Sequence, residues 1–386
     1  MSTSLGTMIR LRAIQNKTRE LFQGMKDKTY RSQYHADLSP IGWHLGHCMF
    51  VENYWLHEIV RQDDTLTSKL HKLYFPENCP KPKRGKKLPK LKHLLNDIQQ
   101  QQDDNDILLM QMKPPFSENT LFQHEFLQNF LIQHYAQHYE TMQMILNQIA
   151  LKKQHNDFVP KTVLTGKPLS TESIAIASGT HTIGGEYPLT YDNELPRHSL
   201  TLPAFNIASH PVTNAEYLSF IEDNGYNNNE WWSQEGWLWR CNAGTFYPEH
   251  WRRNKLNQWY GIKHQGPFEL EADAPVYGIN HYEASAFANW SKARLPHEHE
   301  WEAAVRSGLL HNTGQIWEWC NNTLYPYEGF NAFPYEGYSV PWFDEKHYVL
   351  RGASRHTRPE IRRASFRNFY TADKRHIFSG LRLVFD

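Results

Sequence analysis

Three histidines in this chain have the spacing of a metal site. His134 and His138 stand four residues apart, and residues four apart on a helix lie one above the other on the same face. His47 closes the segment Trp43-His-Leu-Gly-His47, which lies in an apolar stretch with helical spacing. Two imidazoles from one helix and a third from another make a three-nitrogen site with open coordination positions, suited to zinc, nickel or iron. The sequence therefore predicts a metal centre held by His47, His134 and His138.

Two further residues near these histidines are candidates for the same site. His44 precedes His47 by three residues, so it shares a helical face with it and competes as a ligand. Glu140 follows His138 by two residues and lies on another face, where we expect it to orient a ligand of a neighbouring helix. A single histidine on an apolar helix face is usually a hydrogen-bonded core residue, but three in this arrangement favour metal binding.

Residues 1–150 are predicted to form the helices that position these ligands. Apolar residues recur there at helical spacing, and the basic segment Lys83–Lys87, flanked by prolines, is predicted to be a loop. Four helices of this length form a bundle, whose core is a common place for a metal site. The predicted helices are Leu5–Met25, a helix opened by Ser39 as cap and Pro40 in the first turn, Leu88–Met112, and a helix that begins near Ser117.

The rest of the chain has a different pattern. Residues 151–172 are polar and contain two prolines, so they are predicted to be a linker. Residues 173–386 alternate short apolar runs with turn signals. Capping boxes at Thr213–Glu216 and Asn280–Glu283 mark two short helices. The prediction for the whole chain is an α+β protein whose second half has few and short regular elements.

The composition argues against several functional classes. Lys plus Arg and Asp plus Glu number 41 each in 386 residues, so no overall field attracts nucleic acid or a membrane surface. No apolar run reaches the length of a membrane span, and the N-terminal residues lack the apolar core of a signal peptide. The four cysteines are scattered, which is typical of a reducing compartment. We expect a soluble cytoplasmic protein with no nucleic-acid or membrane partner.

The motifs of both halves resemble those of known families. Trp43-His-Leu-Gly-His47 and His134–Glu140 resemble the metal-binding segments of DinB-like bundle domains, especially those of the ergothioneine-pathway sulfoxide synthases. The second half is similar to the formylglycine-generating-enzyme (sulfatase-modifying factor) domain, which is built on a C-type-lectin-like core. Its matching segments are Asp192–His198, Pro211–Tyr217, Ala293–Trp301, Gly314–Trp319, Val349–Ser354, Phe366–Phe369 and Ser379–Arg382.

The resemblance implies both an architecture and a reaction. It implies a DinB-like four-helix bundle in residues 1–150, a linker in 151–172 and a formylglycine-generating-enzyme-like domain in 173–386. Enzymes of this family hold Fe(II) on three histidines and use dioxygen to join a sulfur donor to the C2 carbon of hercynine (trimethylhistidine), which gives a sulfoxide. The thiol donor would be cysteine or γ-glutamylcysteine. Related selenoneine synthases use a selenosugar instead, so a selenol donor is the alternative.

The resemblance also implies residues that bind the substrates. Gln137, between the two histidines of one helix, stands where the family has a substrate-contacting glutamine. Asn368, Phe369 and Tyr370 match a segment that contacts the trimethylammonium group, which favours aromatic faces. Actinobacterial members have Trp-Asp and a later Arg for γ-glutamylcysteine, where this chain has Phe369-Tyr370 and Lys374. That difference argues against γ-glutamylcysteine and leaves cysteine or a selenosugar open.

A catalytic tyrosine and an anion-binding arginine complete the expected site. The family uses a tyrosine near iron to relay a proton or an electron. Tyr335 and Tyr338 lie where one branch keeps that residue, and Tyr74 lies where another branch keeps it. Arg84, in the basic segment, is a candidate for bidentate binding of an anionic donor.

Three other functions compete with this interpretation. A DinB-like bundle alone could be a metal-dependent thiol transferase, but the second domain argues against it. Formylglycine generation needs a closely spaced cysteine pair near the C-terminus, and no cysteine follows Cys320. A non-catalytic module whose lectin-like half binds a ligand is the third alternative.

Overall fold

The computed structural model describes residues 3–385 of the chain. The first of its two compact units runs to Ile149 and includes Arg358–Ile361, while the second comprises Ala150–Thr357 and the residues from Arg362 onwards. None of the helices between residues 3 and 385 has the length and apolar character that a bilayer crossing requires.

The first unit is helical. A π-helical turn at Tyr54–Ile59 extends its third helix, and 3-10 turns at Phe116–Glu118 and Thr120–Glu125 precede its last helix. The helices, in chain order, are α1 (Leu5–Glu20), α2 (Asp27–Arg31), α3 (Ile41–Asn53), α4 (His71–Tyr74), α5 (Lys81–Lys87), α6 (Leu91–Met110) and α7 (Phe126–Leu151).

The start of α3 differs from the prediction. Pro40, rather than Ser39, is the N-cap of α3, and no side chain caps the helix. The hydroxyl of Ser39 instead accepts a hydrogen bond from the guanidinium of Arg84. A tertiary contact has therefore taken the side chain that the local pattern assigned to the helix end.

Two other predicted boundaries in this unit are also wrong. The basic segment predicted as a loop is the helix α5, and its Gly85 packs so closely on the carbonyl of Arg31 that a Cβ would overlap it. The last helix begins at Phe126, not near Ser117, because His124 and Glu125 have positive φ angles that interrupt the helical path. Hydrophobic spacing reveals neither the close contact of Gly85 nor the positive φ angles before α7.

A buried carboxylate joins the four long helices. Glu52 of α3 is 0% exposed. It accepts hydrogen bonds from Gln15 of α1 at 2.9 Å, from Asn105 of α6 at 2.8 Å and from the phenol of Tyr135 of α7 at 2.8 Å. Burial raises the pKa of Glu52, while the three donors counter part of that shift. Because each helix supplies one donor, this polar hub fixes the register of α1, α6 and α7 against α3.

The second unit combines small sheets with short helices, as the α+β prediction requires, and the fold class is confirmed. The sheets have the strand orders β1-β4-β12, β10-β9-β8-β11, β2-β3 and β5-β6-β7. Among the strand pairs described, only β11 and β8 run parallel. The strands are β1 (Ser173–Ile176), β2 (Gly179–Ile183), β3 (His198–Leu202), β4 (Phe205–Ala208), β5 (Trp251–Arg253), β6 (Trp259–Lys263), β7 (Gly266–Phe268), β8 (Trp317–Thr323), β9 (His347–Gly352), β10 (Asn368–Thr371), β11 (Ser379–Gly380) and β12 (Val384–Phe385).

The two predicted capping boxes are confirmed in this unit. Thr213 caps the helix that follows it and exchanges hydrogen bonds with Glu216, and Asn280 does the same with Glu283. These reciprocal bonds satisfy the free amides of the first helical turn. The helices of the second unit are α8 (Asn214–Glu222), α9 (Gln234–Ala243), α10 (His281–Trp290) and α11 (Glu298–Arg306).

Buried ion pairs tie α11 to the sheet strands of the second unit. Burial opposes ionisation of Glu298, but Arg367 and Arg351 outweigh it and lower the pKa of Glu298 to about 2. Losing one partner of such a pair is costly, because the other charge would remain buried alone. The pairs of zero exposure that involve α11 are Arg351 with Glu302 at 2.6 Å, Arg351 with Glu298 at 3.4 Å and Arg367 with Glu298 at 2.7 Å. Arg382 forms a similar pair with Glu318 of β8 at 2.8 Å.

The polar hub of the first unit predicts a specific stability loss. Glu52→Ala leaves three buried donors without their acceptor, so we expect the free energy of unfolding of this unit to fall by about 3 kcal/mol. Urea unfolding followed by circular dichroism measures it. Glu20→Ala removes an exposed carboxylate paired with Lys17 and should change the same quantity by less than about 0.5 kcal/mol. Equal midpoints for the two variants would show that the hub does not stabilise the bundle.

Candidate metal centre

The structure brings the three predicted histidines together. His47 comes from α3, and His134 and His138 come from α7. One ring nitrogen of each lies within 4.8 Å of one ring nitrogen of the other two. The ring centroids are 4.5 to 5.2 Å apart. Three imidazoles at this spacing are able to converge on one metal ion.

His47 is held in one orientation by its surroundings. Its Nδ1–H donates to the carbonyl oxygen of Tyr74 at 2.8 Å, which leaves Nε2 as the free nitrogen. The indole of Trp43 stacks on the imidazole with a centroid distance of 4.6 Å and an angle of 13°. A metal-binding histidine commonly gives its other N–H to a carbonyl in this way, which fixes its tautomer.

The two histidines of α7 have different partners. Nδ1 of His138 lies 2.9 Å from Nδ1 of His44. Nδ1 of His134 is buried and has no hydrogen-bond partner among residues 3–385. A buried polar atom is costly when unpaired, and a bound ion at this cluster would engage the ligand nitrogens that the protein leaves free. The three-nitrogen set therefore fits a divalent transition metal.

The three imidazoles are neutral near pH 7. Burial lowers the pKa of His47 to about 4, a shift opposed by the Tyr74 carbonyl and increased by the charge of Arg84. Burial also lowers the pKa values of His134 and His138 well below the usual range, and the neighbouring imidazoles add to the effect. A neutral imidazole has the free lone pair that a metal requires. The site is thus prepared to bind a cation without first losing protons.

The other predicted residues of the first unit lie on the elements that carry the histidines. Gln137 is half-buried on α7, between the two histidines of that helix, and Glu140 is buried one turn further on. Tyr74, at the end of α4, is buried with its phenol against α3, where a Cβ at Gly46 would overlap the ring. Tyr74 therefore contacts the helix of His47 through both its carbonyl and its side chain.

The side chain of Arg84 is buried and bonded to the protein backbone. It is 3% exposed. Its guanidinium donates to the carbonyls of Cys79 and Pro76, both at 2.7 Å, and it lies 3.9 Å from the ring centroid of Trp43. These contacts hold the turn before α5 and support the indole that stacks on His47. They leave no exposed guanidinium for an anionic donor, against the expectation from the basic segment.

The remaining predicted residues belong to the second unit. Asn368, Phe369 and Tyr370 are half-buried on β10, which pairs with β9. The side-chain oxygen of Asn368 accepts from the amide of Phe369 at 3.0 Å, and the ring of Phe369 packs on an apolar cluster. Their alternation places Asn368 and Tyr370 on one face of the strand and Phe369 on the other.

The two candidate tyrosines of the second unit have different surroundings. Tyr338 stacks on Tyr191 with a centroid distance of 4.1 Å and an angle of 15°. Tyr335 is 43% exposed. The candidates for the catalytic tyrosine are thus divided, with Tyr74 in the unit of the histidines and the other two in the second unit.

Several residues that shape the centre carried little or no sequence signal. Trp43 and His44 lie four and three residues before His47, so the sequence indicated that both are near it on α3. The sequence did not indicate the contact of the Tyr74 carbonyl, because a backbone acceptor does not depend on residue type. Only the tertiary path of the chain after α3 brings that carbonyl to His47.

Comparison with known proteins agrees with this architecture. Residues 10–142 match the DinB superfamily, and residues 161–313 and 307–386 match the sulfatase-modifying factor enzyme 1-like domain. The chain is 30% identical to the hercynine oxygenase of Mycolicibacterium thermoresistibile, over 93% of this chain and 90% of that protein. It is 33% identical to the hercynine oxygenase of Mycolicibacterium smegmatis, over 66% and 71%. Ergothioneine biosynthesis protein 1 of Schizosaccharomyces pombe is 28% identical over 58% of this chain and 32% of its own length.

A DinB-type bundle with three converging histidines, joined in one chain to a sulfatase-modifying-factor domain, defines a class of oxidoreductases. The chain belongs to the hercynine oxygenase family within that class, because its similarity to a member extends over 93% of this chain and 90% of the relative. That membership favours an oxidoreductase over the thiol transferase and the non-catalytic module.

The packing of Tyr74 on Gly46 predicts that a larger residue at position 46 lowers both stability and metal affinity. In Gly46→Ala the added Cβ would overlap a rigid buried ring, so we expect a loss of about 1 to 3 kcal/mol in the free energy of unfolding. Metal affinity should fall too, because Tyr74 also orients His47. Gly6→Ala adds the same Cβ to a helix with nothing near it and should stabilise α1 by up to about 1 kcal/mol. Thermal unfolding and metal titration measure both, and a Gly46→Ala protein as stable as Gly6→Ala would contradict the expectation.

Proposed function

We propose that this chain catalyses the iron- and dioxygen-dependent formation of a carbon–sulfur bond at C2 of hercynine, which gives a sulfoxide in ergothioneine biosynthesis. The observation that carries the proposal is the set of three neutral, converging imidazoles, one buried and two half-buried, in a chain similar to hercynine oxygenases over most of its length. No thiolate or carboxylate belongs to that set of ligand candidates. Iron with neutral ligands keeps its full charge for binding substrates.

The proposed metal ligands are His47, His134 and His138. Bound iron would supply the redox chemistry and a common binding point for the substrates. The protein's part is to keep the three rings neutral, which burial does, and to orient them, which the Tyr74 carbonyl does for His47. Gln137 stands between two ligands on the same helix, so its amide is our candidate for a hydrogen bond to the substrate.

Roles for the tyrosines and for the second unit extend the proposal. Burial raises the pKa of Tyr74, so its phenol is a weaker acid than usual and stays protonated at neutral pH. Tyr74 is our first candidate for the tyrosine that relays a proton or an electron. Tyr335 and Tyr338 are the alternative proton donors. Asn368 and Tyr370, on one face of β10, are proposed to bind the trimethylammonium group of hercynine, which is attracted to aromatic faces and to amide oxygens.

The sulfur donor is proposed to be cysteine rather than γ-glutamylcysteine. The segment from Phe369 to Lys374 lacks the Trp-Asp and Arg of the actinobacterial pattern, and Lys374 pairs with Asp373 at 2.9 Å. A cation already paired with a neighbouring carboxylate is a poorer receptor for a second carboxylate. The same difference favours a second candidate function, the joining of hercynine to a selenosugar as in selenoneine synthases.

A product assay tests the function and the donor together. We expect iron-loaded protein to consume oxygen when given hercynine with cysteine or a selenosugar, and mass spectrometry to detect the coupled product. His138→Ala removes one of the three nitrogens and should abolish iron retention and oxygen uptake. His93→Ala changes an exposed histidine on α6 and should retain both. Absence of oxygen uptake with hercynine and each of cysteine, γ-glutamylcysteine and a selenosugar would refute the proposal.

A further inference from the structure

A fourth histidine makes direct contact with one of the proposed ligands. Nδ1 of His44 on α3 lies 2.9 Å from Nδ1 of His138 on α7, and the ring centroids are 5.1 Å apart. His44 is 6% exposed. Two ring nitrogens at this distance share one proton, so one imidazole donates and the other accepts.

The direction of this hydrogen bond follows from the metal centre. A histidine that binds a metal through Nε2 while neutral carries its proton on Nδ1. His138 is then the donor, and the lone pair of His44 Nδ1 is the acceptor. The proton of His44 must therefore lie on its Nε2, a buried atom with no hydrogen-bond partner among residues 3–385.

We infer that His44 is a positioning residue of the metal centre, which accepts the Nδ1–H of His138 and aims Nε2 of His138 at the metal. This inference rests on the proposed function, because it requires a metal on the three histidines. His44 acts through His138 and is not itself a ligand. Its role corresponds to that of the Tyr74 carbonyl, which holds Nδ1 of His47 at 2.8 Å.

The arrangement explains why both histidines of α3 lie on one helical face. His44 and His47 are three residues apart, so a single helix supplies one ligand and also the support for a ligand from α7. A shift of α7 along α3 would break the His44–His138 bond and separate the ligands together. The contact therefore couples the packing of two helices to the orientation of the metal-binding ring.

Substitutions that keep or remove the acceptor test the inference. His44→Leu removes the acceptor from a buried site, and His44→Asn places an amide oxygen close to the position of Nδ1. His57→Leu is the matched control, since His57 is a buried imidazole of the same unit that bonds to Asn105 at 2.7 Å. Competition with a chromophoric chelator under anaerobic conditions measures Fe(II) affinity, and thermal unfolding measures stability.

We expect His44→Leu to lower Fe(II) affinity by about 10- to 100-fold, the usual effect of removing a partner of a ligating histidine. His44→Asn should recover most of that loss. His57→Leu should lower the unfolding temperature while leaving Fe(II) affinity unchanged.

Three results would overturn the inference while leaving the proposed metal centre in place. The first is an Fe(II) affinity of His44→Leu equal to that of the unsubstituted protein. The second is a loss of Fe(II) affinity in His44→Leu as complete as in His138→Ala, with no recovery in His44→Asn, which would make His44 a ligand. The third is a loss of Fe(II) affinity in His57→Leu equal to that in His44→Leu. Failure of the unsubstituted protein to bind Fe(II) would instead refute the metal centre itself, and the inference with it.

Discussion

The buried carboxylate of Glu52 is the contact on which the histidine-bearing unit depends. It stands five residues after His47 on α3 and accepts a hydrogen bond from Tyr135, the residue next to His134 on α7. The carboxylate that joins the long helices therefore also fixes α7 against α3, at a residue adjacent to the proposed metal ligand His134. Burying a carboxylate is costly unless its lone pairs are satisfied, so this register is strongly preferred over a shifted one.

The second unit is also held together by buried polar contacts, but these are ion pairs between arginines and glutamates. Its strands are short, and buried arginines connect them to α11 where a larger sheet would rely on apolar layers. Arg367 directly precedes the strand that carries Asn368 and Tyr370, and its guanidinium is locked on Glu298. The proposed substrate-binding residues therefore project from a strand whose start is anchored by a desolvated ion pair. Both units position candidate functional residues through buried polar contacts adjacent in sequence to those residues.

The sequence was most informative where the chemistry follows from spacing along one element. The pair of histidines on α7 and the capping boxes at Thr213 and Asn280 depend on neighbours within one turn, and they were predictable for that reason. The roles of Ser39 and of the basic segment of α5 were predicted wrongly, and the contacts of Arg84 were not foreseen, because each depends on residues distant in sequence. Arg84 bonds to carbonyls before α5 and to Ser39 before α3, a combination that no local pattern contains.

The residues that orient the histidines and the residues expected to select the second substrate lie in different units. Nδ1 of His47 and Nδ1 of His138 are both engaged by the protein, so the orientation of these two proposed metal ligands is set inside the bundle. The residues that differ from the γ-glutamylcysteine pattern, Phe369 to Lys374, all belong to the second unit. If the proposed function holds, a change of sulfur or selenium donor would therefore need no change in the three proposed histidine ligands or in the residues that keep them neutral.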